Sequence, residues 1–130
     1  MVITYDADAE MAYIYLAKPA TYEIIETTEV EENVDCMIDI GREIPVVGIE
    51  VGGRSAEKLA YVKRENNHFT RVVTEVGDEF FLLVVEDQPI TKSVAFGDEG
   101  AVSLLFSDKA CTNFIGVRVR GEKYRGLDDL

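Results

Sequence analysis

The sequence predicts a mainly β protein, an antiparallel meander, sandwich or barrel, with one short helix near residues 55–65. Runs rich in Val, Ile, Thr, Tyr and Phe recur along the chain, and most of them alternate apolar with polar residues. Clusters of Gly, Asp, Asn and Pro separate these runs as turns do. The 130 residues are 47% hydrophobic, which is enough for a core without disulfides or metals. We therefore expect a single β-rich domain over residues 1–130.

The first half contains the best-defined strands, which we predict at residues 2–5, 11–17, 22–30, 35–40 and 46–51. The first two flank a polar turn of Asp6, Asp8 and Glu10, and they form a hairpin. Acidic residues interrupt both faces of 22–30, which indicates an edge or solvent-facing strand. The last two form a second hairpin whose outer face carries three carboxylates: Asp35, Asp39 and Glu50. We interpret them as a solvated face, because exposed strand carboxylates lack the environments that separate the pKa values of an acid and a base.

The run Ile3 to Leu16, together with Ile38-Asp39-Ile40 and the Val-Gly-Ile-Glu-Val run at 47–51, resembles a prokaryotic family. This family is known as domain of unknown function 2283, and the resemblance covers residues 1–52. It implies a small β module there, with residues 53–130 as a β-rich extension packed on it. The family has no agreed biochemical activity, so the resemblance implies a fold and no reaction.

Gly52-Gly53 marks the internal boundary, and it is too short for a flexible linker. The helix expected after it would be capped by Ser55 and would turn Leu59, Ala60 and Val62 towards the core. The alternative for this segment is a hairpin that turns at Asn66-Asn67.

Five further strands are expected at residues 69–76, 80–86, 90–96, 101–107 and 113–120. The run 80–85 has no polar residue, so we expect it to be buried on both sides, in the core or at a subunit interface. Residues 94–106 repeat the layout of the first hairpin. This repeat indicates either a true duplication or two similar hairpins that arose by chance.

The residues for familiar catalytic and metal sites are missing. His68 is the only histidine, so any catalytic triad would need it, and we expect it in an exposed loop. Cys36 and Cys111 are the only cysteines, so the spacing of a zinc site is missing. The turn from Asp6 to Glu10 lacks the central Gly and closing Glu of a calcium loop. We expect no catalytic residues, no metal and no cofactor, and two buried thiols rather than a disulfide.

The formal net charge is −12, of which residues 1–50 carry −10. The exposed acids of this half are expected to include Glu23, Glu26, Glu29 and Glu31. Such a surface disfavours direct binding to nucleic acid, because that binding needs Lys and Arg to displace counterions. The acidic surface fits a basic protein partner, as in a phage- or mobile-element-type antagonist, or it serves solubility.

Basic residues cluster near the C-terminus of the chain, at Arg118, Arg120, Lys123 and Arg125. Such a cluster can hold a phosphate or carboxylate, or the acidic half of another subunit, or it is a solvent-facing row of the last strand. A second basic region is formed by Arg54, Lys63, Arg64 and Arg71.

The sequence has neither a membrane-spanning apolar run nor the pattern of a signal peptide, so we expect a cytoplasmic protein. Two-sided apolar strands and the charge difference between the halves favour a non-catalytic binding or assembly module that forms homo-oligomers. The alternatives are the acidic antagonist of a basic host protein, and a binder of anionic small ligands that uses the arginine cluster.

Overall fold

The computed structural model describes residues 2–62 and 67–130. In this part of the chain, ten strands form two antiparallel five-stranded sheets, so the mainly β prediction is confirmed. Sheet A contains β1 (Ile3–Asp6), β2 (Met11–Tyr15), β3 (Ile24–Glu29), β4 (Cys36–Gly41) and β5 (Val46–Gly52). Sheet B contains β6 (Thr70–Val73), β7 (Glu79–Val84), β8 (Lys92–Phe96), β9 (Val102–Phe106) and β10 (Phe114–Val119).

The two sheets have the same topology. Their strand orders are β1-β2-β5-β4-β3 and β6-β7-β10-β9-β8. They also share an irregularity, because the pairing of the last strand with its neighbour skips Val47 in sheet A and Ile115 in sheet B. Residues 46–53 therefore align with residues 114–121. Gly48 in sheet A and Gly116 in sheet B occupy equivalent positions.

This alignment corrects the repeat expected at residues 94–106. In the structure those residues form β8 and β9, whose equivalents are β3 and β4 and not the first hairpin. The hairpin β6-β7 is the equivalent of β1-β2. The sequence comparison chose the wrong partner because strands with period-2 alternation match one another in many registers.

The inward rows of both sheets belong to one hydrophobic core. Three aligned pairs lie at its centre, and all six side chains have no solvent exposure: Ile14 with Leu83, Ile38 with Leu104, and Ile49 with Val117. The outward rows of the two sheets consequently lie on opposite sides of the molecule. In β7 the inward Phe81 and Leu83 are buried, whereas the outward Val84 is 44% exposed. The run is therefore not buried on both sides within one chain, and burial at a subunit interface stays a prediction.

The predicted helix is present as α1 (Gly53–Ala60), and it starts earlier than expected. Ser55 is not its cap: the residue is buried inside the helix, and Gly52 precedes the helix without a side-chain hydrogen bond. Gly53 has a φ of +58°, and a Cβ there would lie 2.8 Å from Oδ1 of Asp35, so this position requires glycine. The helix ends at Ala60, and positions 63–65 of the predicted helix lie outside the described residues.

Two side chains tie the sheets together in a reciprocal way. Lys58 of α1 donates to the main-chain oxygen of Phe114 (2.9 Å), to Glu86 (3.0 Å) and to the side-chain oxygen of Asn113. Tyr124, in a 3-10 turn after β10, donates to the main-chain oxygen of Val46 (2.6 Å) and accepts from its N–H (2.8 Å). Val46 and Phe114 occupy equivalent positions, at the starts of β5 and β10. Lys58, which follows sheet A, therefore binds the start of the last strand of sheet B, and Tyr124, which follows sheet B, binds the start of the last strand of sheet A.

Candidate functional site

The outward row of sheet A carries a polar network, and we call this surface the A face, defined by Tyr13, Tyr15, Thr27, Asp39 and Glu50. At its centre, Asp39 accepts hydrogen bonds from the hydroxyls of Tyr13 (2.7 Å) and Thr27 (2.7 Å). Asp39 is only 5% exposed, which corrects the expectation of a solvated carboxylate. The reason is Gly48, which pairs with Asp39 and lets the Tyr13 ring lie over the strand; a Cβ at Gly48 would overlap that ring.

The electrostatics of the A face follow from this burial. Burial, together with the bond to Asp39, raises the pKa of Tyr13 far above its ordinary value. The pKa of Glu50 is also raised, first by burial and then by the charge of Asp39. Among the residues that the structure describes, neither Glu50 nor Asp39 has a cation at ion-pair distance. Asp35, the third carboxylate of the predicted face, lies instead against Gly53 at the start of α1.

A cavity of about 400 Å³ opens beside Asp39. The segment between β2 and β3 forms one wall, and the lining includes Tyr13, Tyr15, Tyr22 and Lys18. The rings of Tyr13 and Tyr15 are close neighbours, with centroids 4.7 Å apart and planes inclined by 58°. The cavity thus combines aromatic surfaces with a buried carboxylate.

The outward row of sheet B has a different chemistry, and we call it the B face, defined by Phe80, Leu82, Val84, Leu105, Arg118 and Arg120. The register aligns the five A-face residues, in the order given above, with Leu82, Val84, Ser93, Leu105 and Arg118. Apolar residues therefore replace both tyrosines and the central aspartate, and an arginine replaces Glu50.

The two arginines of the B face are close to apolar surface. Arg118 is half-buried, and burial and the neighbouring charge of Arg120 lower its pKa. The guanidinium of Arg120 lies 5.9 Å from the centroid of the Phe80 ring. Within residues 2–62 and 67–130, neither arginine forms an ion pair.

The other members of the predicted basic cluster, Lys123 and Arg125, follow β10 in the chain. Lys123 donates to the main-chain oxygen of Glu43 (2.8 Å), and the exposed Arg125 lies 3.9 Å from Glu122. Arg120 and Lys123 line one cavity of about 320 Å³, and Lys123 and Arg125 line another of about 300 Å³. A shared binding site of all four residues stays a prediction. In the second basic region, Arg71 pairs with Glu79, while Lys63 and Arg64 lie outside the described residues.

The four predicted acidic residues are all exposed, and they lie on or next to β3 at one edge of sheet A. Glu26 and Glu29 lie on β3, which is an edge strand as expected, and Glu31 follows it. Glu23 pairs with Arg42 at 2.8 Å.

Residues 2–62 and 67–130 contain no cluster of three or more His, Cys, Asp or Glu side chains that could hold a metal ion. Cys36 and Cys111 are buried free thiols, and burial raises the pKa of Cys36 to about 12. No helix in these ranges is long and apolar enough to cross a membrane.

Sequence reasoning missed the Tyr13–Asp39–Thr27 network. The signal for it was Tyr13 and Tyr15 on the outward row of β2, together with a glycine, Gly48, in the neighbouring strand. A tyrosine ring often occupies the space that such a glycine leaves open.

The chain is similar to the uncharacterised protein YuzE of Bacillus subtilis (strain 168), with 32% identity over 78 residues. The match covers 54% of this chain and 60% of the length of YuzE. No protein-family model matches the chain, so the resemblance to domain of unknown function 2283 is not confirmed. No solved structure matches it either.

Proposed function

We propose that this protein is a binding module that self-associates by packing the B face of one copy on the A face of another. One observation carries the proposal: each face holds two charged groups of the same sign that form no ion pair among the described residues. Each of these groups is at least partly buried or lies against apolar surface. These groups are Asp39 and Glu50 on the A face, and Arg118 and Arg120 on the B face.

Such charges destabilise an isolated molecule, because partial burial removes water and no opposite charge lies beside them in the described part of the chain. Contact between the two faces would bring each pair against charges of opposite sign, and complementary potentials also select one orientation. Leu82 and Val84 of the B face supply apolar area that can pack against Tyr13 and Tyr15. Apolar and aromatic area of this kind provides most of the affinity of protein interfaces.

The faces lie on opposite sides of the molecule, so the proposed contact is heterologous. A pair of copies keeps one free A face, on one copy, and one free B face, on the other. An assembly of this type closes into a ring or continues as a filament, and it does not stop at a two-fold dimer.

Sedimentation velocity over a range of concentrations tests the proposal. We expect species larger than a two-fold dimer, which dissociate at high salt or on Arg118→Glu. The matched control is Arg125→Glu, because Arg125 is exposed beside Glu122 and outside both faces. A wild-type monomer at all concentrations and salts would refute the proposal, and so would equal effects of the two variants.

A second candidate function uses the acidic edge of sheet A. Glu26, Glu29 and Glu31 are exposed and have no ion pair in the described part of the chain, which suits a basic protein partner. A pull-down from nuclease-treated lysate should recover such a partner with wild type. Glu→Gln changes at these three positions and Glu23 should abolish recovery, and unchanged recovery would contradict this candidate.

A further inference from the structure

We infer that the cavity beside Asp39 is a guanidinium site, and that Arg118 of a second copy supplies the guanidinium. The identity of the donor rests on the proposed function, whereas the chemistry of the site rests on the cavity alone.

The floor of the cavity offers unused acceptor capacity. Each oxygen of Asp39 accepts one hydroxyl hydrogen bond, at 2.7 Å in both cases, whereas an ionised carboxylate has roughly four acceptor positions. The two hydroxyls also hold the carboxylate in one orientation. A guanidinium presents two parallel N–H donors in a plane, which is the geometry that a fixed carboxylate accepts best.

The walls suit the rest of an arginine side chain. Guanidinium planes stack on aromatic faces, and Tyr13, Tyr15 and Tyr22 line the cavity. Val47 and Ile24 offer apolar surface to the aliphatic stem. Glu50 pairs with Tyr13 across the strands and adds negative charge beside the site.

The second half of the chain lacks the guanidinium site and carries the arginine that we propose as its ligand. Leu105 stands where Asp39 stands, and Leu82 and Val84 replace the tyrosines, so the B face cannot hold a cation in this way. At the position of Glu50 it carries Arg118. Sheet A thus forms the guanidinium site, and sheet B carries the arginine that would bind there. This division accounts for the opposite chemistry of two faces with the same topology.

Lys18 provides a control for the sign of the electrostatics. It lines the cavity, where its positive charge opposes a bound cation. Removing this charge with Lys18→Gln should tighten guanidinium binding, whereas it should weaken binding in an anion site.

The test uses the full chain with Arg118→Glu and Arg120→Glu, so that no second copy competes for the A face. L-argininamide is titrated against it by NMR, with L-lysinamide and L-citrullinamide, whose side chain is uncharged, as comparison probes. We expect saturable shifts of A-face resonances with argininamide and at least about tenfold weaker binding of the other two.

Substitutions then locate the site. Asp39→Asn should weaken argininamide binding at least about tenfold, since a charge-assisted bidentate pair is lost. Tyr15→Leu keeps an apolar side chain but removes the aromatic face, so it should also weaken argininamide binding. This variant replaces Asp39→Asn in the test if Asp39→Asn does not fold. Glu29→Gln is the matched control, because it removes one exposed charge from the same sheet. Equal binding in Asp39→Asn and Glu29→Gln, or no saturable binding, would overturn the inference.

The wild-type chain separates this inference from the proposed function. We expect argininamide, and not citrullinamide, to dissociate wild-type assemblies. If wild type assembles but argininamide fails to bind, the guanidinium site is wrong and self-association stands. If wild type is a monomer while argininamide binds, Arg118 of a second copy is not the donor, and the proposed function falls with that part of the inference.

Discussion

The Tyr124 hydroxyl satisfies both main-chain polar groups of Val46, deep between the two sheets. Tyr124→Phe removes these two bonds and leaves a buried N–H and C=O without them. We expect the free energy of unfolding to fall by about 1–3 kcal/mol, which urea denaturation measures. Tyr61→Phe is the matched control, because Tyr61 is 86% exposed and should change stability by less than about 0.5 kcal/mol. Equal losses in both variants would contradict this account of Tyr124.

Glu50 should give stability a characteristic pH dependence. Its pKa in the folded chain is raised, mainly by burial and then by Asp39, so the folded state favours the protonated form. The associated stability is present below the ordinary pKa and is lost as pH rises through the raised value. Glu50→Gln removes that loss, so it should stabilise the chain at pH 7 relative to its effect at pH 4.

Urea unfolding of the Arg118→Glu chain, with and without Glu50→Gln, measures this difference without a second copy on the A face. An effect of Glu50→Gln that is equal at both pH values, or larger at pH 4, would show that burial does not perturb Glu50.

Asp39 illustrates what periodicity can and cannot predict. The alternation of β4 correctly turns Asp39 away from the core, since the side-chain period of a strand is two. Its burial depends on Tyr13, which lies 26 positions earlier in the chain, and on the space above Gly48. Contacts across strands depend on register, and a single strand does not encode its register.

At the scale of the elements, the aligned glycines Gly48 and Gly116 let neighbouring groups approach closely. A Cβ at Gly116 would lie 2.5 Å from the main-chain oxygen of Leu83, so β7 would have to shift. A Cβ at Gly48 meets the side chain of Tyr13, which can rotate away but then loses its bond to Asp39. We expect Gly116→Ala to cost about 1–3 kcal/mol of stability and Gly48→Ala to cost less.

Thermal denaturation compares the two variants, and an ultraviolet pH titration reports on the tyrosines. Only Gly48→Ala should make an additional tyrosine ionise near its ordinary pKa, because Tyr13 leaves its buried position. A larger loss of stability in Gly48→Ala, or no change in its tyrosine titration, would contradict this prediction.

Strands were the elements most accessible to sequence reasoning, because alternation and turn residues mark them directly. The predicted start of α1 at Ser55 is two residues too late. Serine is a common helix cap, but the helix begins at Gly53, where the backbone has a positive φ. The shared topology of the two sheets is hard to predict from the sequence, since residues 46–53 and 114–121 share little beyond alternation and two glycines.

For the whole molecule, a single domain over residues 1–130 stays a prediction, and Lys58 provides a way to test it. Lys58 and Asn113 lower the pKa of Glu86 through hydrogen bonds. The stability from this contact is present above the ordinary pKa of Glu86 and is lost as pH falls through the lowered value. We expect one cooperative transition by circular dichroism and tyrosine fluorescence, with a midpoint that falls in Lys58→Met.

The effect of Lys58→Met should be larger at pH 7 than in acid, where Glu86 is protonated. Two separate transitions in wild type would contradict the single domain. A pH-independent effect would contradict the ion pair as its cause.

The most direct test of self-association is a mixing experiment with Glu50→Arg and Arg118→Glu chains, followed by sedimentation velocity. Each variant alone should stay monomeric, because like charges then meet at every B-on-A contact. An equimolar mixture should associate, since the native B face of the Glu50→Arg chain can pack on the native A face of the Arg118→Glu chain. A mixture that stays monomeric while wild type assembles, or a variant that assembles alone, would contradict the packing of the B face on the A face.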